Sequence, residues 1–327
     1  MKRIMNRNFR SVAGRIGKTT FVFAIIYLVA CTQANAQEAS LSDAVKNNDI
    51  KDVKQLLDKG ANPNAYDADS DNVLINATLF ASVDCMELLL QNKANPNLKN
   101  KYGETPLMLC TNDLDKMKLL LHYGANINDT ALSGNNALMI ACIAGSPYPI
   151  IKWLLDNGAD PKARRWRAET ALMRAAQYCD TMTIHLLLSK GFDINERPWG
   201  FTPLMYAARS ANWPAIFCLL NNGADANIPD PINMSILLWA AEQNNLEAVK
   251  ALVKKTKDIN AADSIAGMTL LMWAVYNEHD NPQIIQILLD NGAKVNRKAK
   301  DGSTALSWAR KKGNTATVAL LKRAGAK

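Results

Sequence analysis

The sequence predicts an all-α solenoid of about nine helix-turn-helix repeats joined by short β-turn connections. Three observations carry this. A G-x-T-P-L-like segment returns along the chain, with Ser70, Gly103, Gly134, Ala168, Gly200, Asn233, Gly267 and Gly302 at its first position, spaced 33, 31, 34, 32, 33, 34 and 35 residues apart. A leucine and a small pair follow, as in TPLMYAA and TALMRAA. Each unit then closes on LL-x-x-G-A-x-x-N, as in LLDKGANPN and LLDNGAKVN.

Each element has a local reason. Thr-Pro opens a first helix, because the hydroxyl can cap free N–H groups and proline suits the first turn. Leucine and alanine at helical spacing, as in Leu204, Ala207 and Ala208, give one apolar stripe. Small residues let this helix lie close to the second, which carries the leucine pair. Glycine ends the second helix because it takes a left-handed turn cheaply. Neither helix buries its face alone, so the units must stack in a row.

From Leu41 to Lys327 the pattern resembles the ankyrin repeat. That resemblance implies a non-enzymatic protein-binding scaffold whose partner meets the turn tips and the outer end of the first helices. There are departures. Met108, Met139, Met173, Met205 and Met272 stand where the family has histidine, which removes the expected threonine–histidine bonds. Lys93 and Thr256 replace capping glycines, at about 1 kcal/mol each if the left-handed turn is kept. Repeat one lacks TPL and reads as an N-terminal cap.

The N-terminus reads as an export signal. Lys2, Arg3, Arg7, Arg10, Arg15 and Lys18 precede an apolar stretch from Phe21 to Ala30, too short to span a bilayer. Two cleavages stay open. Ala34–Asn35–Ala36 fits an ordinary signal peptidase, giving a signal of 1–36 and a repeat domain of 37–327. Leu28 to Cys31 resembles a bacterial lipobox, giving a signal of 1–30 with Cys31 acylated. The net charge of +8 belongs mostly to this segment; without its six basic residues, 32 basic face 30 acidic ones. Nucleic acid is therefore not an expected partner.

Nothing points to catalysis, a cofactor or a metal. His122, His185 and His279 lie in separate repeats, and no HExxH, CxxC, P-loop or GxGxxG occurs. Cys85, Cys110, Cys142, Cys179 and Cys218 read as free thiols, with Cys179, near an inter-helix turn, the one expected to be exposed.

The candidate partner-binding residues are Trp166, Arg167, Tyr178, Trp199, Phe201, Arg209, Met234, Met268 and Tyr276, expected as one aromatic and methionine strip over repeats five to eight. Interfaces favour tryptophan, tyrosine and arginine; the bland alternative is that these rings fold down onto neighbouring turns. Trp239, Trp273 and Trp308 share one slot in successive repeats and read as a stacked structural ladder. Residues 294–327 carry ten Lys or Arg and one acid, Asp301, which suits a polar terminal cap or a weak contact with anionic headgroups or an acidic partner. The expected function is a monomeric interaction scaffold in the periplasm or at the cell envelope of a bacterium. The alternatives are an immunity-type inhibitor of a periplasmic toxin or enzyme, and a secreted host-directed effector.

Overall fold

The computed structural model describes residues 40–165, 168–276 and 281–327. Cys31, Trp166, Arg167 and His279 lie outside the described residues, as does the export segment. Among the described residues all regular structure is helical apart from two isolated bridges, Tyr66–Asn72 and Ala262–Thr269.

The chain divides into two compact units, at Leu132 and Ser133. The first holds α1 (40–46) with α2 (Ile50–Asp58), α3 (Val73–Phe80) with α4 (Val83–Gln91), and α5 (Pro106–Leu109) with α6 (Leu114–His122). The second holds six further pairs: α7 (Ala137–Ala144) and α8 (Tyr148–Asp156), α9 (Ala171–Tyr178) and α10 (Thr181–Ser189), α11 (Pro203–Arg209) and α12 (Trp213–Asn221), α13 (Ile236–Glu242) and α14 (Leu246–Val253), α15 (Leu270–Tyr276) and α16 (Pro282–Asp290), α17 (Ala305–Lys312) and α18 (Thr315–Arg323). Odd-numbered helices are the first, and even-numbered the second, of each repeat. Within each unit, first helices pack on first helices (α3 on α5; α7 through α17 in series), and second on second.

Local chemistry builds the pairs as expected. Asn72, Asn136, Thr170 and Thr202 each accept a hydrogen bond from the N–H three residues on. In α7 the buried set is Ala137, Leu138, Met139, Ala141 and Cys142, so small residues do stand at the close helix–helix contact. The methionines that replace histidine are buried, and in repeat six Met205 takes over part of the missing bond: the Thr202 N–H donates to its Sδ at 3.4 Å. In repeat three Thr105 Oγ1 is buried without a partner.

The tip positions share one backbone state. Ser70, Gly103, Gly134, Ala168, Gly200, Asn233, Gly267 and Gly302 all have positive φ, between 55° and 84°. Lys93 keeps the left-handed turn at φ 69° despite its side chain. Thr256 does not; there the chain closes one residue earlier, through Lys255 and Lys257.

The last asparagine of GAxxN has a definite task. Its amide bridges to the next repeat, donating to the carbonyl at the glycine position and accepting from the N–H two residues beyond. Asn64 does so with Lys93 and Asn95, Asn97 with Gly124 and Asn126, Asn260 with Gly292 and Lys294, and Asn296 with Gly325 and Lys327, at 2.7–3.0 Å.

All five described cysteines are free and buried. This corrects the expectation for Cys179, which is 7% exposed. Its residue caps α9, and its Sγ donates to the Cys142 carbonyl at 3.5 Å, so it is covered by the preceding repeat.

Candidate functional site

The side chains of interest lie in the second unit, on the tips and first helices of repeats five to nine. The tip of repeat six has its own geometry. In repeats seven and eight an Asp holds the turn: Asp230 Oδ1 accepts from the Ile232 and Met234 N–H groups, and Asp263 Oδ1 from those of Ile265 and Ala266. Repeat six has Arg197 there, which cannot accept. Its tip is a 3-10 turn, Pro198–Gly200, and Trp199 within it has φ 59°. A bulky residue in that region is strained. Gly200 is needed twice over: its φ is 84°, and a Cβ would stand 2.7 Å from Pro231 Cγ of the next repeat. The chain thus presses its glycine against repeat seven and turns the neighbouring indole outward; Trp199 is 68% exposed.

Phe201 follows a different course. Half-buried, its ring stands edge-on to Tyr206 at 6.4 Å, and the Arg209 guanidinium lies 5.6 Å from its centroid. Arg209 is exposed at the end of α11, and Tyr178 is exposed at the end of α9. These two helix ends are tied by Ser210 Oγ, which donates to the Gln177 carbonyl at 3.1 Å, and α13 is tied to them by Gln243 Nε2 donating to the Ala208 carbonyl at 2.9 Å. Trp199, Phe201, Arg209 and Tyr178 therefore occupy tips and helix ends that the backbone holds in register.

The expected strip does not continue unbroken. Met268 is 6% exposed: its N–H donates to Asp263 Oδ2, and it lines a small cavity between repeats seven and eight. Met234 is half-buried in the same space. Tyr276 is partly exposed but packs edge-on between Trp273 at 5.7 Å and Trp308 at 4.9 Å. The tryptophan ladder is thus bridged by tyrosine at this step. Lys312 lies over Tyr276 and Lys311 over Trp308, each 4.8 Å from the ring centroid. Trp273 Nε1 donates to Asp263 Oδ2 at 3.1 Å and Trp308 Nε1 to Ser303 Oγ at 3.0 Å.

Sequence reasoning missed the upper end of this column. Arg174 and Tyr206 occupy the same slot, two residues past the leucine, as the three tryptophans. The Arg174 guanidinium lies 5.3 Å from the Tyr206 centroid. Glu169 joins them: its Oε2 pairs with Arg174 and with Arg165, its Oε1 accepts from the Tyr206 hydroxyl at 2.8 Å. Burial pushes the Glu169 carboxyl up, but the bonds from Arg174 and Tyr206 and the charges of Arg174 and Arg165 outweigh it and hold the group below its ordinary value. Burial, then the bond to Glu169, pushes the Tyr206 phenol up to about 12. The network lies against Phe201 through the Tyr206 ring.

No group of three or more His, Cys, Asp or Glu able to hold a metal occurs among the described residues. Cys218 Sγ lies 3.5 Å from His185 Nε2, but burial raises its pKa, so the contact does not make a thiolate nucleophile.

The model of ankyrin repeats (3 copies) matches residues 41–131, 138–230, 204–299 and 237–327, and that of ankyrin repeats (many copies) matches 111–155. The chain belongs to the ankyrin-repeat family. It is 28% identical over 152 residues to ankyrin repeat and SOCS box protein 6 of Pongo abelii, a match covering 43% of this chain and 36% of that protein. It is 29% identical over 181 residues to ankyrin repeat protein nuc-2 of Neurospora crassa, covering 53% and 17%. An ankyrin repeat protein of Acanthamoeba polyphaga mimivirus is 30% identical over 131 residues, covering 32% and 23%. The chain thus spans about a third or less of these relatives' lengths. Ankyrin repeats imply a protein–protein interaction scaffold, and such proteins are generally not enzymes.

Proposed function

We propose that this ankyrin-repeat protein is a non-enzymatic scaffold that binds one partner protein through the tip and first-helix face of repeats five to eight. The observation that carries the reading is Trp199. An indole 68% exposed, on a tip whose backbone takes a strained left-handed turn, two residues before Phe201 and its Arg209 contact, is the kind of large exposed ring that interfaces favour. Trp166 and Arg167, one repeat earlier in the sequence, are assigned the same role on their residue types. Tyr178 adds a second exposed ring on an adjoining helix end. The partner is expected to insert an apolar side chain beside Trp199 and to present a carboxylate to Arg209.

The place of action in this reading is the periplasm or envelope of a bacterium, supported by the basic N-terminal flank, the short apolar stretch and the Ala34–Ala36 and Leu28–Cys31 patterns. Mass spectrometry of the mature chain tests it: Gln37 first, or an acylated Cys31, supports export, and an intact Met1 end opposes it.

Affinity capture from the native envelope tests the surface. Wild type is compared with Trp199→Ala/Phe201→Ala/Arg209→Ala, after circular dichroism shows both folded. A partner retained by wild type and lost by the variant is expected; identical capture would remove this face from the reading.

A further inference from the structure

One inter-repeat bridge is missing, and a cleft stands in its place. At the end of repeat four the bridging asparagine is replaced by Lys162. Lysine donates but cannot accept, so it cannot span the Gly191 carbonyl and the Asp193 N–H as Asn64, Asn97, Asn260 and Asn296 span theirs. Repeat five carries a second departure at the same place. Phe192 stands where Ala61, Ala94, Ala159, Ala224 and Ala293 are buried at the equivalent position. The two departures meet in a cleft of about 390 Å³ lined by Lys162, Arg164, Lys190, Phe192, Asp193 and Glu196, with Gly191 between them. That volume is in the range of small-molecule sites.

The lining has a definite chemistry. Arg164 Nη1 is paired with Glu196 Oε2 at 3.0 Å, so that cation is already neutralised. Asp193 Oδ1 accepts from the Asn195 N–H at 2.9 Å but keeps its charge, so the lining carries three cations, Lys162, Arg164 and Lys190, against two carboxylates, Asp193 and Glu196. Lys162 and Lys190 have no ion-pair partner among the described residues. Two lysines without an ion pair and a half-buried phenyl ring therefore line one cleft of ligand size, with a net positive charge.

We infer that this cleft binds a small organic anion: one carboxylate or phosphate group, held by Lys162 and Lys190, on an apolar body that lies against Phe192. A bare inorganic anion would leave the ring uncovered, and a neutral apolar molecule would leave both ammonium groups unmatched. The lining shares no residue with the Trp199 surface, and the inference does not rest on partner binding.

Saturation-transfer NMR on the whole chain tests it with four probes: phenyl phosphate, benzoate, inorganic phosphate and benzyl alcohol. At least one of the two aromatic anions is expected to saturate with a Kd of about 1 mM. Which of them binds identifies the head group. Inorganic phosphate, followed by its competition with the bound aromatic anion, and benzyl alcohol are expected at least tenfold weaker. Two variants locate the site. Lys162→Asn restores the residue found in the other bridges, so its unfolding temperature is expected not to fall while affinity drops at least tenfold. Phe192→Ala is expected to bring the aromatic anion down to the level of inorganic phosphate. No saturable binding by either aromatic anion, inorganic phosphate binding as tightly as they do, or unchanged affinity in folded Lys162→Asn would each overturn the inference.

Discussion

At the scale of single residues, the protein places strain and buried charge in different spots, and both can be measured. Trp199 holds φ 59° with a large side chain, a state that costs about 1–2 kcal/mol for an ordinary L-residue. Asparagine tolerates that conformation, so Trp199→Asn is expected to raise stability by about 1 kcal/mol in chemical denaturation while weakening capture of the partner. Glu169 is the opposite case. Its side chain and that of Arg174 are each 13% exposed, and Glu169→Gln leaves the guanidinium without its counter-charge. A loss of about 2–3 kcal/mol is expected. In the first unit Asp67 plays a similar part. Burial raises its pKa, but the bonds from Lys46, Asn76 and the Asp71 N–H prevail and bring it from 3.8 to about 2. A lowered folded value stabilises the fold above the unfolded pKa. The contribution, about 2 kcal/mol, is therefore full above pH 4 and lost as pH falls through about 2. Asp67→Asn keeps the turn acceptor and removes the charge, so the variant's stability is expected to lose this slope between pH 5 and 2 in denaturant titrations.

At the scale of elements, the repeat period and the apolar stripes already specify the helix pairs, because a helix that buries one face needs its partner at fixed spacing. The left-handed tips were equally legible: the aligned position is glycine in five repeats, and Ser70, Ala168 and Asn233 adopt the same state when it is not. The asparagine of GAxxN was legible as a pattern but not as a bridge, since its two partners lie about thirty residues away. Removing such a bridge is expected to be felt at one interface: Asn260→Ala deletes a donor to Gly292 and an acceptor for Lys294, for a loss of about 1–2 kcal/mol by thermal unfolding. The site was less legible than the fold. The sequence left open whether these rings fold down; Tyr178, Trp199 and Arg209 are exposed, and Met268 is buried, its N–H bonded to Asp263. The burial of a turn methionine depends on hydrogen bonds that periodicity does not encode. Arg174 and Tyr206 could have been found by following the tryptophan slot towards the N-terminus. The cleft at Lys162 needed two departures from the repeat, some thirty residues apart, to be seen side by side.

At the scale of the whole molecule, stacked repeats pass energy mainly to their neighbours, so a change at one interface should stay local within its unit. The second unit offers a sharp test at the interface of repeats four and five, where Lys162 leaves the bridge unmade. Lys162→Asn is expected to add the two hydrogen bonds that Asn97 and Asn260 make elsewhere, worth about 1 kcal/mol, or 2–4 °C in melting temperature for a unit of this size. Hydrogen exchange read by mass spectrometry should then show slower exchange in α8, α9 and α10, and no change in α16 and α18, several repeats away. Equal slowing throughout the second unit would mean that its repeats open as one cooperative body, and the local accounting of bridges would fail. Slowing confined to the flanking helices would mean that each repeat interface is tuned separately, so that natural departures such as Lys162 and Phe192 can open a binding cleft without loosening the surface around Trp199.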